Sequence, residues 1–396
     1  MRIGIDGGCL ANRRGFGRFA RQVVGALARA GSGHEFVVFV DRPSAESGAS
    51  RVPEGFEAIQ VDVREAPSKA ASAGGRRGLR DLLAMGKAVA KAGLDLMYFP
   101  ASYSFFPVWG ARRVVVTLHD TLALAHPEWV FPSWRGRVAW TLKEYAAVRW
   151  ADRVVTVSEA ARRDLMAWFG LPPGRVVVVG EGPDDAFRPT PEGPDSDAIL
   201  GKYRIVPGSR YVLYVGGLSP HKNLARLIEA FAAGAPADVG LVLVGDLGDV
   251  FHTHVPELRA AVERHGLGDR VTFTGFVPDD ELAYLYGRAY CLVQPSMMEG
   301  FGLPPIEAMA CGTPVLSSTA GSLPEVVGAA GVYFDPTDVG SMATALRDLL
   351  DDPARRATLA RLASARASGY TWDASARALL ACFDGLDPAR TLGTAA

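Results

Sequence analysis

Short apolar runs alternate with longer amphipathic stretches through most of the 396-residue sequence, and this alternation constrains the fold more than any other feature. In the amphipathic stretches apolar residues recur at three- and four-residue steps, as at Phe19, Val23 and Leu27. Strands that alternate with helices in this way form parallel sheets with helices on both faces. The apolar runs predict two series of strands: 2–6, 35–40, 57–62, 95–99, 113–118, 153–157 and 175–179, then 210–216, 240–245, 271–274, 290–294, 313–317 and 331–334.

Two domains are expected, because a chain of this length exceeds what a single hydrophobic core usually supports. The boundary is predicted in the stretch 182–208, which carries five prolines and several acidic residues and shows no helical periodicity. The sequence therefore predicts an α/β protein with doubly wound parallel-sheet domains at 1–185 and 209–370, joined by a linker at 186–208. A last helix is predicted at 371–386, and its single apolar face would suit either domain.

Composition narrows the class of protein. An apolar content of 48% and a charged content of 21% are typical of a globular protein. The formal net charge of -1 argues against a broad nucleic-acid surface, and no apolar run reaches the length of a membrane span. The chain opens directly with a predicted strand, so no secretory signal is expected. The cysteines are too far apart for metal or redox motifs and predict buried thiols in a reducing cytoplasm: Cys9, Cys291, Cys311 and Cys382.

The stretch from Glu299 to Glu307 combines two carboxylates with a turn rich in glycine and proline. Glu299 follows a predicted buried strand and so lies at its carboxyl end, the usual ligand edge of an α/β sheet. Pro305 suits an early helical position, which predicts Glu307 in the first helical turn, near backbone N–H groups that attract anions. One carboxylate would hold polyol hydroxyls and the other a ribose, while the N–H groups between them face a diphosphate. The alternative is a capped turn with an ordinary glutamate, and the spacing alone does not separate the two.

A second glycine turn, Gly216-Gly217, leads to Lys222, and Asn223 is predicted to cap the helix that follows. A lysine just ahead of a helix amino terminus suits a diphosphate. Taken alone, this turn is explained as well by a surface lysine near a cap. The diphosphate interpretation gains from the Glu299 loop, which is predicted in the same sheet.

His119 follows the apolar strand at 113–118 and stands next to Asp120. A lone histidine at the end of a strand is more often structural than catalytic. Its place at the ligand edge of the first domain nevertheless makes it the best histidine candidate. The sequence shows no cluster of metal ligands, so no metal is predicted.

The segment from Arg14 to Arg18 follows the first strand and contains Gly15 and Gly17. The G-x-G pattern is a weak signal, and the full dinucleotide fingerprint is absent. The segment is predicted to approach a ligand closely, with an arginine near an anion. The candidates for ligand contact in this segment and beside His119 are Arg14, Phe16, Arg18 and Asp120.

Aromatic residues cluster around Pro107 and Pro132. They are predicted to pack within helices and loops, and the alternative is an acceptor pocket or a membrane interface. The sequence shows no cluster of exposed basic and apolar residues that would require a lipid acceptor.

Taken together, these motifs resemble the retaining glycosyltransferases of family four, which have the two-domain GT-B fold. The resemblance covers nearly the whole chain, and the order and spacing of its motifs are more specific than any single motif. It implies two Rossmann-like domains that face a central cleft, with the last helix returning to the first domain. The matching motifs are Gly15–Gly17, Leu118-His119-Asp120, Val157-Ser158-Glu159-Ala160, Val215-Gly216-Gly217, Lys222-Asn223 and the E-x7-E pair Glu299 and Glu307.

The resemblance implies a role for each matching residue. Glu299 would contact hydroxyls of the donor sugar, Glu307 the ribose and Lys222 the diphosphate. His119 would lie beside the transferred sugar, so the catalytic set would be His119, Lys222 and Glu299. Catalysis would need neither metal nor cofactor and would retain the anomeric configuration, with the leaving phosphate helping to deprotonate the acceptor. Further donor contacts would come from Gly17, Gly216, Gly217, Gly300, Phe301, Gly302 and Leu303. The first domain would bind the acceptor, and the candidates for acceptor contact are Arg14, Phe16, Arg18 and Asp120.

One position departs from the family pattern, because many members carry arginine where this chain has Gly217. Of the two cations that would contact the diphosphate in those members, this chain keeps only the one at Lys222, as some mannosyltransferase-like members do. This resemblance favours GDP over UDP in the donor.

The sequence thus predicts a cytoplasmic bacterial enzyme that transfers a hexose from a GDP- or UDP-sugar to a small molecule or saccharide. Such an enzyme would serve specialised-metabolite or cell-envelope biosynthesis, with no nucleic-acid partner and no required membrane association. The alternatives are an epimerase or phosphorylase on the same fold, or a nucleotide-sugar-binding protein without turnover.

Overall fold

The computed structural model describes residues 1–12, 15–64, 78–248 and 254–387. They form two compact units. The first holds Met1–Glu181 and the segment that begins at Trp372, and the second holds Gly182–Thr371. The division falls slightly ahead of the predicted domain end at 185, and the stretch predicted as a linker lies within the second unit.

The first unit is built on a seven-stranded parallel sheet with the order β3-β2-β1-β4-β5-β6-β7. Its strands are β1 (Arg2–Asp6), β2 (Glu35–Asp41), β3 (Glu57–Val61), β4 (Leu96–Phe99), β5 (Arg113–Thr117), β6 (Arg153–Thr156) and β7 (Val176–Val178). Its helices before the division are α1 (Gly15–Arg29), α2 (Arg42–Glu46), α3 (Leu79–Lys91), α4 (Leu122–Ala125), α5 (Trp134–Trp150) and α6 (Glu159–Phe169).

The second unit is built on a six-stranded parallel sheet with the order β10-β9-β8-β11-β12-β13. Its strands are β8 (Arg210–Val215), β9 (Val239–Val244), β10 (Val271–Gly275), β11 (Cys291–Gln294), β12 (Val315–Ser318) and β13 (Gly331–Phe334). Its helices are α7 (Pro194–Lys202), α8 (Leu224–Gly234), α9 (Val255–Arg264), α10 (Asp279–Arg288), α11 (Leu303–Ala310), α12 (Leu323–Val327), α13 (Val339–Leu350) and α14 (Pro353–Ala367). The strand order reverses between β8 and β11, as it does between β1 and β4. Ligands bind at such switch points in Rossmann-like sheets.

The last helix, α15 (Trp372–Asp384), packs within the first unit. The Trp372 ring meets that of Phe19 in α1 at a centroid distance of 6.0 Å, and Phe383 meets Tyr98 of β4 at 5.4 Å. Phe383 and Tyr98 are fully buried. The carboxyl-terminal segment therefore completes the core of the first unit.

The prediction of two doubly wound parallel sheets is confirmed. All thirteen predicted strands are present, with bounds that differ by at most two residues. Every residue of β4 and of β11 is buried, because helices cover both faces of a parallel sheet.

The stretch predicted as a linker contains a helix, α7, although its sequence shows no helical periodicity. Pro194 occupies the start of this helix, where its fixed φ fits and its missing N–H costs nothing. Asp195 and Asp197 in the first turn complement the helix dipole. The buried hydroxyl of Ser196 accepts a hydrogen bond from Arg288 at 3.0 Å, which fixes α7 on the second unit.

Candidate active site

Two loops at the carboxyl edge of the second sheet bring the main candidate residues together. One joins β8 to α8 and carries Lys222, and the other joins β11 to α11 and carries Glu299. Since β8 and β11 are paired strands, their loops are neighbours. The backbone N–H of Met297 donates to the His221 carbonyl at 2.8 Å, which ties one loop to the other.

Glu299 is the centre of a compact polar cluster. Its Oε1 accepts hydrogen bonds from Lys222 Nζ at 2.6 Å, Gln294 Nε2 at 2.8 Å and Ser296 Oγ at 2.6 Å. The Lys222 and Glu299 side chains are only 16% and 13% exposed. A shielded ion pair with such short contacts is held in one geometry, as a binding site for a polar ligand requires.

The Glu299 carboxyl is ionised in this setting. Burial opposes ionisation, but the charge of Lys222 and the hydrogen bonds from Lys222 and Ser296 outweigh it and lower the pKa of Glu299. Burial and the charge of Lys222 lower the pKa of His221 to about 3. Because His221 is then neutral near pH 7, Lys222 is the cation that keeps Glu299 charged.

The backbone after Glu299 is fixed by the turn that follows β12. The Oγ of Ser322 donates to the Glu299 carbonyl at 3.1 Å and to the Phe301 carbonyl at 2.7 Å. Gly321 has a φ of +58°, and a Cβ there would lie 2.6 Å from the Glu299 carbonyl oxygen. Gly302 has a φ of +104° at the start of α11, a conformation that favours glycine. The residues from Gly300 to Leu303 are buried, and their contacts with a donor stay a prediction.

The glycine turn after β8 is also shaped by a neighbouring side chain. Gly216 has a φ of +152°, and a Cβ there would lie 2.7 Å from the Tyr214 hydroxyl. That hydroxyl donates to the Gly217 carbonyl at 2.6 Å. Both glycines are partly exposed, and their predicted contact with a donor is untested by this geometry.

Glu307 does not lie in the first turn of its helix, so that prediction is wrong. α11 begins at Leu303, which puts Pro304 and Pro305 in the first turn and Glu307 in the second. Glu307 is 2% exposed, and its Oε2 accepts a hydrogen bond from the Tyr286 hydroxyl at 2.9 Å. Its contact with a ribose stays a prediction.

Asn223 occupies the N-cap position of α8, as predicted, but its side chain makes no capping hydrogen bond. Its backbone is left-handed, with a φ of +61°, and its Nδ2 donates to the carbonyls of Pro295 at 3.1 Å and Pro336 at 2.8 Å. Its Oδ1 accepts from Arg226 at 2.9 Å. Asn223 thus joins the loops after β8, β11 and β13 and positions the adjacent Lys222.

In the first unit, His119 lies just beyond the carboxyl end of β5 and is mostly buried. Its Nε2 is 3.2 Å from the Pro100 carbonyl oxygen, and its Nδ1 is 3.6 Å from Glu181 Oε1. The rings of Phe16 and Phe19 meet the imidazole edge-on at centroid distances of 4.9 and 4.8 Å. The ring is therefore fixed by oxygen atoms at both nitrogens and by two aromatic neighbours. Its contact with a transferred sugar stays a prediction.

Gly17 lies in the first turn of α1. A Cβ at this position would lie 1.8 Å from the Asn12 carbonyl oxygen. Packing within the first unit therefore requires glycine here, whether or not a diphosphate approaches.

The predicted acceptor residues fall in different settings. Arg14 lies outside the described residues. Phe16 and Arg18 are partly buried at the start of α1. The Oδ1 of Asp120 accepts from the Leu122 N–H at 2.9 Å and shapes the turn after His119. Their contact with an acceptor stays a prediction.

Sequence reasoning missed two buried carboxylates near His119. Glu181 is 5% exposed and approaches His119 directly, while Glu144 of α5 is 4% exposed. The Glu144 carboxylate accepts from Ser102 Oγ at 2.7 Å, and burial raises its pKa to about 7 against this hydrogen bond and the positive charges nearby. Glu144 is the single acidic residue in the otherwise basic α5, but this composition does not by itself mark the residue as buried.

The Glu144→Gln variant is expected to be more stable than wild type at pH 8 and about as stable as wild type at pH 4. The native pKa of about 7 lies above the ordinary value of 4.5, so the native state loses stability as the pH rises through this window. Such a shift corresponds to roughly 3 kcal/mol at most. Urea unfolding of the first unit at both pH values measures the effect, with the exposed Glu46→Gln as control. Equal midpoints for Glu144→Gln and wild type at pH 8 would contradict the raised pKa.

The described residues contain neither a cluster of metal ligands nor a membrane-spanning helix. No group of three or more His, Cys, Asp or Glu side chains in this part of the chain could hold a metal ion. No helix among these residues is long and apolar enough to cross a membrane. The four cysteines are buried free thiols, as predicted.

Comparison with known proteins supports the family. Residues 13–187 match the model described as Glycosyltransferase Family 4, and residues 195–366 match the model of Glycosyl transferases group 1. The chain is 35% identical over 271 residues to O-antigen chain mannosyltransferase B of Escherichia coli, covering 66% of this chain and 68% of that protein. It is also 35% identical over 266 residues to a D-inositol 3-phosphate glycosyltransferase of Kineococcus radiotolerans, covering 63% and 60%. The matched region of the serotype-specific mannosyltransferase WbdA is only 32% of that longer protein.

Solved structures show the same fold at low sequence identity. Sucrose-phosphate synthase from Thermosynechococcus elongatus aligns over 100% of both chains with a TM-score of 0.74 and 23% identity. HepE from Anabaena, solved with UDP-glucose, aligns over 97% of this chain and 100% of its own with a TM-score of 0.72 and 22% identity.

The two Rossmann-like units and these likenesses define a glycosyltransferase with the GT-B fold. Within this class the chain belongs to glycosyltransferase family four, and it is similar to the mannosyltransferase-like branch.

Proposed function

We propose that this glycosyltransferase is a retaining, metal-independent, cytoplasmic enzyme that moves a hexose from a nucleoside diphosphate sugar to an acceptor hydroxyl. The observation that carries the proposal is the shielded 2.6 Å pair of Lys222 and Glu299 at the switch point of the second sheet. In a nucleoside diphosphate sugar the sugar and the diphosphate meet at the anomeric carbon. The Lys222 ammonium would attract the diphosphate, and the adjacent Glu299 carboxylate would accept hydrogen bonds from the sugar hydroxyls. The pair therefore suits the part of the donor where sugar and diphosphate meet.

The chemistry follows from where charge develops. As the bond between the anomeric carbon and the phosphate oxygen breaks, negative charge grows on the diphosphate, and Lys222 is placed to stabilise it. Glu299 orients the sugar by accepting hydrogen bonds from its hydroxyls. The leaving phosphate takes part in removing the acceptor proton, and Glu307 holds the ribose. His119 contacts the transferred sugar in this proposal.

The donor is proposed to be a GDP- or UDP-hexose. The match to O-antigen chain mannosyltransferase B supports a mannosyl donor, and the UDP-glucose complex of HepE shows that the fold accommodates a nucleotide sugar. The absence of a second cation at Gly217 favours GDP. The acceptor is proposed to be a small molecule or a saccharide.

Hydrolysis of the donor without an acceptor tests this function. The full chain is incubated with GDP-α-mannose or UDP-α-glucose in EDTA, and products are followed by proton NMR. The expected result is slow release of the nucleoside diphosphate together with α-hexose, before mutarotation. Loss of the reaction in EDTA, or release of β-hexose, would contradict the mechanism. An epimerised nucleotide sugar, a sugar 1-phosphate formed from added phosphate, or binding without turnover would favour the epimerase, the phosphorylase or the binding protein instead.

A further inference from the structure

Large apolar side chains are exposed in one part of the first unit. Thirteen such side chains are strongly exposed among the described residues, and nine of them lie between positions 79 and 168. Scattered exposed apolar residues are ordinary, but a concentration of them marks an interaction surface. The nine are Leu79, Leu83, Trp109, Trp134, Val138, Leu142, Tyr145, Trp150 and Trp168.

The helices that carry most of these side chains form one layer. Buried residues of α3, α5 and α6, such as Val89, Val148 and Leu165, belong to a single apolar cluster with alternate residues of β4, Met97 and Phe99. Since alternate residues of a strand point to one face of the sheet, the three helices cover the same face. Their opposite sides therefore point away from the sheet.

Helix α5 shows the outward side most clearly. Trp134, Val138, Leu142 and Tyr145 are 70%, 45%, 66% and 48% exposed. Steps of four, four and three residues place them on one side of the helix. The result is a continuous apolar row about three turns long.

The exposed charges of α3 and α5 are all positive, although the whole chain is nearly neutral. The single carboxylate in each of these helices is buried: Asp81 accepts from the Arg64 N–H, and Glu144 accepts from Ser102. The exposed cations are Arg80, Lys87 and Lys91 on α3 and Arg135, Arg137 and Arg149 on α5. The structure therefore brings exposed basic and apolar residues together on these helices, which the sequence alone did not show because the burial of the two carboxylates cannot be read from it.

We propose that the outward surface of α3 and α5 docks on an anionic lipid bilayer. Trp134 and Leu142 would enter the headgroup region, and the arginines beside them would meet lipid phosphates. Amphipathic tryptophan rings next to cations are the combination that such interfaces select, and each cation adds attraction to an anionic leaflet. This inference concerns a different surface from the donor site and does not depend on the donor chemistry.

Vesicle sedimentation of the full chain tests the docking. The probes are vesicles of phosphatidylcholine alone and of phosphatidylcholine with one quarter phosphatidylglycerol. Wild type is expected to bind the anionic vesicles, and less so as salt is raised. Binding is expected to fall about tenfold or more for Trp134→Ser/Leu142→Ser and for Arg135→Glu/Arg137→Glu. The control Val206→Ser/Leu362→Ser, which changes exposed apolar residues of the second unit, is expected to bind as wild type.

Thermal unfolding of each variant verifies that it is folded before binding is compared. Equal binding of wild type to neutral and anionic vesicles, or no binding to either, would overturn the proposal. Unchanged binding by both test variants would do the same. A wild-type dimer that Leu142→Ser converts to a monomer would assign this surface to a second copy of the chain instead.

Discussion

Replacing Lys222 by alanine is expected to lower kcat for sugar transfer by about 10²- to 10³-fold, the usual effect of losing one preorganised electrostatic contact. Lys222 contacts Glu299 at 2.6 Å. Gly217, in the same loop, has no charged side chain that could replace the Lys222 ammonium. The charge that develops on the leaving diphosphate would then lose its contact with the Lys222 ammonium. Glu299→Ala is expected to have an effect of similar size, because the sugar loses its hydroxyl acceptor. Steady-state turnover of a nucleotide sugar measures both.

The double variant Lys222→Ala/Glu299→Ala separates catalysis from stability. A single substitution leaves one charge shielded from water without its partner, which can destabilise the protein. The double variant removes both charges, so it is expected to fold normally. The decrease in its kcat is expected to be no larger than the product of the decreases in the two single variants. Lys202→Ala is the matched control, because Lys202 pairs with Glu281 at 2.6 Å on the surface of the same unit. Wild-type turnover in the Lys222 or Glu299 variants would contradict the assignment.

Phe383→Ala is expected to destabilise the first unit by about 3–5 kcal/mol, as truncation of a fully buried phenylalanine usually does. Phe383 is 0% exposed and packs edge-on against Tyr98 in the central strand β4. Its helix, α15, is joined to the unit only through packing and a few polar contacts, including the bond from Ser375 to the Gly180 carbonyl at 2.6 Å. Urea unfolding followed by hydrogen exchange measures the loss in each unit.

The effect of Phe383→Ala is expected in the first unit alone. Amides of β4 and α15 should lose protection, while those of β8 and β11 should keep it. Phe276→Ala, at a phenylalanine 66% exposed in the second unit, is the control and is expected to change stability by less than about 1 kcal/mol. Equal loss of protection in both units would show that α15 does not belong to the first unit alone.

The strands were predictable because residues buried on both faces of a parallel sheet form continuous apolar runs. Sequence patterns were less reliable for proline, because proline occurs both in linkers and in the first turn of helices. The sequence pattern places Pro194 in a linker, whereas the structure has it at the start of α7. Helix α11 begins at Leu303, with two prolines in its first turn. Glu307 therefore lies in the second turn and not, as the sequence predicts, in the first.

The candidate site was predicted in its parts but not in its contacts. Lys222 and Glu299 are separated by 77 positions in the sequence. They are in contact because β8 and β11 are paired, which places the loops after these strands side by side. Glu144 and Glu181 carry no motif, and long-range packing alone places them near His119. A lone carboxylate in a helix or after a strand has no local signal that marks it as buried.

The most direct test of the account is donor binding at Lys222 and Glu299. The thermal stability of wild type is measured in EDTA with GDP-mannose, UDP-glucose, ADP-glucose and dTDP-glucose. At a hundredfold its Kd a ligand adds about 2.7 kcal/mol of stability, and at least one of these sugars, GDP-mannose first, is expected to raise the Tm accordingly. The shift should vanish in Lys222→Ala/Glu299→Ala and persist in Lys202→Ala. No shift with any of the four, or the same shift in the double variant, would contradict the donor site.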